Sequence, residues 1–253
     1  MPTEHLSIPI YFINLASDEQ RCERMQAEFL RHGLEGYRLD AVRWSALSPQ
    51  AQDELYSDSL NEKQFHVALV AGEKGCYASH HKAWAMMVES GLPAMVVLED
   101  DVRLTPELRK VIAAVESLEI PWDMIKLIGR DKEKIRASRP LVEGVDLIEY
   151  KRVPSLTAGY IISREGALKL MRKRKPFGRP IDVDLRFWWE CDLRIMGVSP
   201  ACLILDDTSF TSTIGQKNRQ RTWRAKWNKF SVKFRMTILN ELHTHRRGAI
   251  LSD

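Results

Sequence analysis

The sequence predicts an α/β protein with a mostly parallel central sheet flanked by helices. Short apolar segments alternate with stretches of helical periodicity, which is the pattern of successive βα units. The clearest strand is Met95–Leu98, because a continuous apolar run fits a sheet that is covered on both faces. Glu99, Asp100 and Asp101 follow it directly, so three carboxylates stand at its carboxyl end.

These three carboxylates predict a divalent metal site. The carboxyl edge of an open α/β sheet is where ligands bind, and adjacent carboxylates repel one another unless a cation lies among them. Hard oxygen ligands on a short turn favour Mg²⁺ or Mn²⁺. The alternative is a solvated acidic turn before a helix, since carboxylates also favour helix N-termini.

The first half of the chain supplies two further strands and the long helix beside them. Ile8–Leu15 is a predicted strand, and Ser17 or Asp18 can cap the helix that follows to about residue 32. Gly36–Val42 is the second strand, and Ser48-Pro49 begins a weak helix. A helix from Gly72 to about residue 90 is indicated by apolar and aromatic residues at helical spacing, namely Cys76, His80, Ala83, Trp84 and Met87. His80 and His81 could be ligands, but histidines that serve the helix packing are the more common case.

The second half continues the alternation. Helices are predicted over residues 105–118, over 164–174 and from about residue 179 through Trp189, and strands over 123–128, 147–150, 158–163 and 202–205. The charged segment Gly129–Gly144 is predicted to be a mobile loop. The last strand ends in Asp206-Asp207, so it repeats the placement of acids at a strand terminus.

The C-terminal part differs in charge from the rest. Ten Lys and Arg residues face two acidic residues from Gln216 onward, so residues 216–253 carry +8 and residues 1–215 carry −4. We therefore predict a domain over 1–215 and a basic tail over 216–253. The tail is predicted to form an amphipathic helix of membrane-interface type, because basic residues surround one apolar face made by Trp223, Trp227, Phe230, Phe234 and Ile238. A helix docked on the domain with a solvated basic face is the alternative, and we expect no nucleic-acid partner.

Cysteines and apolar segments bear on the cellular compartment. Cys22, Cys76, Cys191 and Cys202 are widely spaced, without the pattern of a zinc site or a disulfide framework. No signal sequence or run of eighteen apolar residues is evident. We therefore expect a cytoplasmic protein, with any membrane contact peripheral.

Several motifs in order resemble glycosyltransferase family 25, the bacterial lipopolysaccharide and lipo-oligosaccharide transferases. The resemblance covers roughly residues 8–215, with departures at Ser17 and Trp44. The matching segments are Ile13-Asn14-Leu15 with Arg21, Asp40-Ala41-Val42, Gly72-Glu73-Lys74-Gly75-Cys76 with Ser79-His80 and Trp84, Val97–Val102, Asp123–Leu127, Ala158–Ser163 with Gly166-Ala167, and Pro180-Ile181-Asp182.

The resemblance implies a GT-A fold and inverting transfer of a hexose from a UDP-sugar, with galactose favoured and glucose next. Glu99-Asp100-Asp101 then corresponds to the metal-binding DxD motif, with Asp101 and Glu99 as ligands of Mn²⁺ or Mg²⁺. Lys74, or the amides of Gly72 and Gly75, could hold the diphosphate. The predicted donor-binding residues are Asn14, Arg21, Asp40, Lys74, Glu99 and Asp100.

Inversion needs a carboxylate that takes the proton of the acceptor hydroxyl. Asp182, which matches the Pro-x-Asp of the family, is the predicted base, and Asp184 and Glu190 are the substitutes. The implied acceptor is a lipid-linked oligosaccharide at the inner face of the cytoplasmic membrane, where the basic tail would hold the enzyme against anionic lipid.

Two other functions are compatible with parts of the sequence. A non-catalytic protein could retain the sugar-nucleotide fold and bind membrane or nucleic acid through its tail, although the complete acidic triplet argues against this. A nucleotidyltransferase also uses carboxylate-bound Mg²⁺, but it needs a glycine-rich basic loop after the first strand, and Ala16-Ser17-Asp18-Glu19 is not one.

Overall fold

The computed structural model describes residues 6–65, 67–129, 133–206 and 223–251, with side chains for all of these except 223–230. The strands in this part of the chain are β1 Ile10–Asn14, β2 Gly36–Asp40, β3 Ala94–Glu99, β4 Val102–Leu104, β5 Met124–Lys126, β6 Ile135–Val142, β7 Val145–Tyr150, β8 Gly159–Ser163, β9 Ile195–Ser199 and β10 Leu203–Leu205. The α-helices are α1 Glu19–Arg31, α2 Pro49–Leu55, α3 Asp58–Gln64, α4 Ala71–Glu89, α5 Leu108–Glu116, α6 Arg164–Lys173, α7 Ile181–Asp184 and α8 Trp223–Arg247.

Eight strands form one mixed sheet in the order β2-β1-β3-β8-β5-β9-β7-β6. The pairings give six of these strands one common direction, with β7 and β8 opposed. This confirms the predicted α/β class with a mostly parallel sheet. Because β1, β2 and β3 are parallel neighbours, their carboxyl ends, at Asn14, Asp40 and Glu99, lie along one edge.

Strand β3 lies at the centre of the two apolar layers. Met95 and Val97 pack into the core on one face of the sheet, and Val96 and Leu98 pack into the core on the other. All four side chains are fully buried, and each such burial is worth about 1.5–3 kcal/mol. The continuous apolar run predicted a strand covered on both faces, and the structure confirms it.

The two apolar layers come from different helices. Helices α4 and α6 cover one face, where Trp84, Met87 and Leu170 are buried, and α1 and α5 cover the other. The predicted starts of three helices are confirmed. Asp18 caps α1, Ser48 caps α2 and Ser163 caps α6, and each side chain accepts a hydrogen bond from the backbone N–H three residues further on.

Three parts of the prediction were wrong or incomplete. The segment 129–144 is not a loop over its described length, because Ile135–Val142 forms β6 and pairs antiparallel with β7. Strand β9 had no strong sequence signal and lies between β5 and β7. The helix expected from residue 105 begins at Leu108, since β4 precedes it and pairs with β10 in a separate two-stranded sheet.

A buried ionic network joins α4, α6 and α7. Asp184 accepts hydrogen bonds from Tyr77 Oη (2.5 Å), and its two oxygens lie 3.0 Å from Arg174 Nε and 2.9 Å from Arg179 Nε. Glu190 contacts the same two arginines. Arg179 and Asp184 are almost completely buried, so each charge depends on the others for compensation.

Helix α8 packs on the domain through its second half. Asn240 is buried and is held at both ends, because it accepts a hydrogen bond from Trp188 Nε1 (3.1 Å) and donates one to the Lys151 carbonyl (2.8 Å). His243 stacks on Trp189 with a ring separation of 5.5 Å. In the part of the chain that the structure describes, no helix is long and apolar enough to cross a membrane.

Candidate functional site

A pocket of about 350 Å³ lies at the carboxyl ends of β1, β2 and β3, below the first turns of α4. Its size is in the range of small-molecule sites. The loop after β2 and the first half of α1 complete its walls. The residues that line it are Ile13, Leu15, Asp18, Arg21, Ala41, Val42, Arg43, Trp44, Ser45, Ala71, Gly72, Gly75, Cys76, Ser79, His80, Glu99, Asp100 and Asp101.

Helix α4 approaches the loop after β2 closely. A Cβ atom at Gly75 would lie only 2.7 Å from the Val42 carbonyl oxygen, so this position accepts glycine alone without a shift of the backbone. Ser79 Oγ reinforces the approach, because it accepts the Val42 N–H at 2.8 Å and donates to the Gly75 carbonyl at 2.7 Å. The N-terminal end of α4 thereby comes to face the carboxylates of the pocket.

Asp100 is compensated by residues from β1 and α1. Asn14 Nδ2 donates to one of its oxygens at 2.7 Å, and Arg21 donates to the other at 2.9 Å. Arg21 also lies 3.3 Å from Asp18, the residue that caps its helix. The structure therefore brings Asn14, Arg21 and Asp100, three of the predicted donor-binding residues, together in one charge-compensated group.

Glu99 is oriented by two hydrogen bonds to the same oxygen. His80 Nε2 lies 3.3 Å from its Oε1, and Thr157 Oγ1 donates to that atom at 3.2 Å. Burial alone would raise the pKa of Glu99, but His80, Thr157 and the nearby Arg21 lower it below its ordinary value. Glu99 is consequently a charged carboxylate at neutral pH, with a fixed orientation in the pocket.

Asp101 is the least compensated member of the triplet, because only the charge of Arg21 and its own backbone N–H favour its charged form. Its Oδ1 is buried and has no hydrogen-bond partner among the described residues. Burial, followed by the charges of Glu99 and Asp100, raises the pKa of this carboxyl to about 6. A cation next to Asp101 would satisfy the buried oxygen and relieve the repulsion, so the residues present fit a divalent metal ion.

Asp182 lies close enough to the pocket to interact with it electrostatically. The pKa of Asp182 is raised, first by burial and also by the charge of Glu99, while the Val183 N–H and Lys126 oppose the rise. Its charge in turn acts on the thiol of Cys76. It does not cap α7, since the N-cap position is Pro180 and no side chain makes a capping hydrogen bond there.

Three residues predicted to bind the donor, Asn14, Asp40 and Lys74, do not line the pocket, and Asn14 is linked to it only through its hydrogen bond to Asp100. Asp40 is exposed, and its carboxylate lies 2.5 Å from Arg38. The Lys74 ammonium lies over the ring of Tyr56, 3.7 Å from its centroid, and Lys74 does not line the pocket. At this end of α4, Ala71 and Gly72 of the first turn line the pocket, so their backbone amides would face an anion bound there.

The substitute bases are also separated from the pocket. The carboxylate of Asp184 is occupied by two arginines and Tyr77, and Glu190 is paired with the same arginines. Both serve the ionic network between α4, α6 and α7. Of the three candidate bases, Asp182 is the one with an electrostatic link to Glu99.

Sequence reasoning did not assign a role to Cys76, Ser79 or Trp44, which all line the pocket. The sequence nevertheless contained a pattern that pointed to two of these residues, Cys76 and Ser79. Cys76, Ser79 and His80 follow Gly75 at positions that share one face of a helix, and a glycine inside a helix often marks a close approach of backbone. Trp44 carried no such signal, because its place depends on how the chain turns after β2.

The fold and the pocket define this chain as an α/β protein with an acidic ligand site at the carboxyl edge of its sheet. It belongs to glycosyltransferase family 25, because the sequence model of that family, described as "LPS biosynthesis protein", matches residues 7–185. The match confirms the resemblance found in the sequence.

Several animal proteins are similar to this chain. A Drosophila melanogaster "Glycosyltransferase 25 family member" is 33% identical over 69% of this chain and 29% of its own length. The Homo sapiens "Procollagen galactosyltransferase 2" is 29% identical over the same shares of the two chains. A Bos taurus "Probable inactive glycosyltransferase 25 family member 3" is 32% identical over 69% of this chain and 30% of its own. The present chain thus matches less than a third of the length of these relatives.

The repulsion at Asp101 predicts a substitution that stabilises the metal-free protein. A carboxyl with a pKa of about 6 in the folded state and an ordinary value near 4 in the unfolded state is protonated more readily when folded. It therefore destabilises the folded state at pH 7, and this cost is relieved as the pH falls from about 6 towards 4. We expect Asp101→Asn to raise the free energy of unfolding in EDTA by about 1–3 kcal/mol at pH 7, and by less at pH 4.

Urea denaturation at both pH values measures this effect, and Asp100→Asn is the matched control. That change removes an acceptor from Asn14 and Arg21, so it should lower stability by about 1–3 kcal/mol. An equal loss of stability in Asp101→Asn and Asp100→Asn would show that the charge of Asp101 is compensated in the folded protein, which would contradict the prediction.

Proposed function

We propose that this protein is a metal-dependent glycosyltransferase. It moves a hexose from a UDP-sugar, with galactose favoured and glucose next, to a hydroxyl of a lipopolysaccharide or lipo-oligosaccharide acceptor, with inversion. Membership of family 25 supports the transfer of a sugar, and the description of the family as an LPS biosynthesis protein supports a lipopolysaccharide acceptor. The names of relatives such as the human procollagen galactosyltransferase support galactose.

The observation that carries the proposal is the buried Oδ1 of Asp101, which has no hydrogen-bond partner among the described residues and lies near the oriented Glu99. In this arrangement Asp101 and Glu99 would hold Mn²⁺ or Mg²⁺. Such an ion supplies Lewis-acid stabilisation of the negative charge that develops on a leaving diphosphate. Asp100 has a different role, because Asn14 and Arg21 already occupy its oxygens and fix the turn on which Asp100 and Asp101 follow β3.

The remaining walls of the pocket suit the donor nucleotide. The first-turn amides of α4 at Gly72 and its neighbours offer hydrogen-bond donors and the positive end of a helix dipole to a diphosphate. Trp44 and the apolar side chains of Ile13, Leu15 and Val42 offer a surface for a base. Lys74 and Asp40 would not contact the donor in this geometry.

Asp182 is the proposed base that takes the proton of the acceptor hydroxyl. Its pKa is raised, and a base is more effective the closer its pKa lies to the working pH, provided that it remains charged. Lys126, at the carboxyl end of β5, favours the charged form. Asp184, two residues after Asp182, is paired with two arginines and would keep α7 in place.

A panel of UDP-hexoses tests the donor and the metal together. We expect UDP release from UDP-galactose in Mn²⁺ or Mg²⁺, loss of release in EDTA, and a decrease of about 10²–10³-fold in Asp101→Ala, since one electrostatic group is removed. Asp53→Ala, which changes an exposed acid on α2, is the matched control and should retain the wild-type rate.

Each outcome of the panel separates the hypotheses. Release that is unaffected by EDTA and by Asp101→Ala would contradict metal dependence. A failure to bind UDP under any condition would favour the non-catalytic alternative. The name of the bovine relative, which includes the words "Probable inactive", agrees with this alternative. Binding of UDP without release requires that the acceptor be added.

Asp182 and Asp184 form a matched pair that separates catalysis from stability. We expect Asp182→Asn to lower kcat by about 10²–10⁴-fold while the urea midpoint stays close to wild type. Asp184→Asn should instead lower the free energy of unfolding by about 3–5 kcal/mol, because buried Arg179 and Arg174 lose one of their two carboxylate partners. A wild-type kcat in Asp182→Asn would remove it as the base.

We also propose that α8 holds the enzyme at an anionic membrane surface. The side chains of Phe234, Ile238 and Leu242 recur every four residues, and each is between 42% and 57% exposed. They continue the apolar face predicted from the sequence, whose other members, Trp223, Trp227 and Phe230, have side chains outside the described residues. Exposed Lys233 and Arg235 flank this stripe, as expected for a helix that lies at the bilayer interface.

Vesicle sedimentation tests the membrane contact. We expect the double variant Ile238→Ser and Leu242→Ser to bind anionic phosphatidylglycerol vesicles at least roughly tenfold more weakly, because two apolar side chains no longer enter the interface. The matched control is Leu30→Ser and Ile204→Ser, which removes two exposed apolar side chains elsewhere. Equal binding by both double variants and the wild type would contradict the proposal.

A further inference from the structure

A second group of potential metal ligands lies in the same pocket and is different in chemical character from the acidic triplet. Cys76 Sγ, His80 Nε2 and a carboxylate oxygen of Glu99 all lie within 4.8 Å of one another. Cys76 and His80 are four residues apart on α4, so both project from one face of the helix. Glu99 meets them from the end of β3.

The separation of the three donor atoms is close to that of a zinc site. Zinc–ligand distances of about 2.0–2.3 Å in a tetrahedral site place the ligand atoms about 3.3–3.8 Å from one another. His80 Nε2 and Glu99 Oε1 are already 3.3 Å apart. The distances from Cys76 Sγ to the other two donor atoms are at most 4.8 Å, so they exceed the range of a zinc site by no more than about 1 Å.

The residues behind these ligands hold them in position, as outer partners do in metal sites. Tyr160 Oη lies 2.8 Å from His80 Nδ1, and Trp84 Nε1 donates to the same hydroxyl at 2.9 Å. With an ion on Nε2, the ring proton would be on Nδ1 and would be donated in a hydrogen bond to the Tyr160 oxygen, since a phenol oxygen has two lone pairs. Thr157 holds Glu99 in the same way.

The site is accessible and has room for a fourth ligand. Cys76, His80 and Glu99 all line the pocket of about 350 Å³, so an ion can enter from solvent. A site with three protein ligands keeps one tetrahedral position for water or for an oxygen of a substrate. A thiolate and an imidazole select Zn²⁺ over Mg²⁺ or Mn²⁺, which prefer the all-oxygen pair Glu99 and Asp101.

We propose that Cys76, His80 and Glu99 form a binding site for a thiophilic divalent ion such as Zn²⁺. The inference goes beyond the proposed transferase activity and does not require a donor sugar. Because Glu99 belongs to both ligand sets, Zn²⁺ on the thiol side and Mn²⁺ or Mg²⁺ on the Asp101 side compete for one carboxylate. The site would therefore make the enzyme sensitive to inhibition by Zn²⁺.

Cobalt binding tests the proposal without any measurement of activity. We expect Co²⁺, added to the full-length reduced protein, to give a thiolate-to-cobalt charge-transfer band in the near ultraviolet and intense visible bands of a tetrahedral ion. Zn²⁺ should displace it and abolish both. Cys76→Ser should lack the charge-transfer band, and Glu99→Gln should raise the Co²⁺ dissociation constant at least tenfold.

Two matched variants complete the test. Cys22→Ser, which changes a buried cysteine outside the pocket, and Asp101→Asn, which changes the neighbouring oxygen site, should both keep the band. A wild type without the band, or a band that persists in Cys76→Ser, would overturn the proposal, as would its loss in Asp101→Asn. Loss of Mn²⁺-dependent UDP binding bears on the proposed function alone, because the cobalt spectrum is recorded without nucleotide.

Discussion

The arrangement of the pocket depends on how three consecutive carboxylates are tolerated at the end of a fully buried strand. Asp100 is paired with Arg21 and Asn14, and Glu99 is held by His80 and Thr157. These partners come from β1, α1, α4 and the segment before β8, so the elements around the pocket are drawn together by the acids. Asp101 Oδ1 has no hydrogen-bond partner among the described residues, and burial with the two neighbouring charges raises the pKa of Asp101, so a cation at this position would offset an unfavourable charge.

The protein uses buried carboxylates in two opposite ways. In the network between α4, α6 and α7, Asp184 has an arginine at each oxygen, and the charges fix the packing of the helices. In the pocket, Asp101 has no such partner among the described residues, and its raised pKa records the cost. The paired Asp184 thus stabilises the packing of the helices outside the pocket, whereas Asp101 keeps an unfavourable charge inside the pocket that a bound ligand would offset.

Helix α8 shows the same division between a fixed and an available surface. Asn240 and His243 attach its second half to the tryptophans near residue 188, and Met236 is buried beside them. The exposed stripe that includes Ile238 and Leu242 lies on another side of the helix. The second half of α8 therefore docks on the domain, as the alternative interpretation of the sequence predicted, and the apolar stripe stays exposed. Its contact with a membrane stays a proposal.

The sequence alone determined what depends on neighbours in the chain. The apolar run Met95–Leu98 and the helix starts at Asp18, Ser48 and Ser163 are local patterns, and the structure confirms the elements that they predicted. The acids after β3 are also a local pattern, and the metal that they predict stays a prediction. Strands β4, β6 and β9 escaped prediction because their stability comes from pairing with distant or later strands. The tertiary structure also decided the roles of the acids. Asp101, Asp182 and Asp184 look alike in sequence, but their charges depend on arginines and hydrogen-bond donors that the fold brings from elsewhere in the chain.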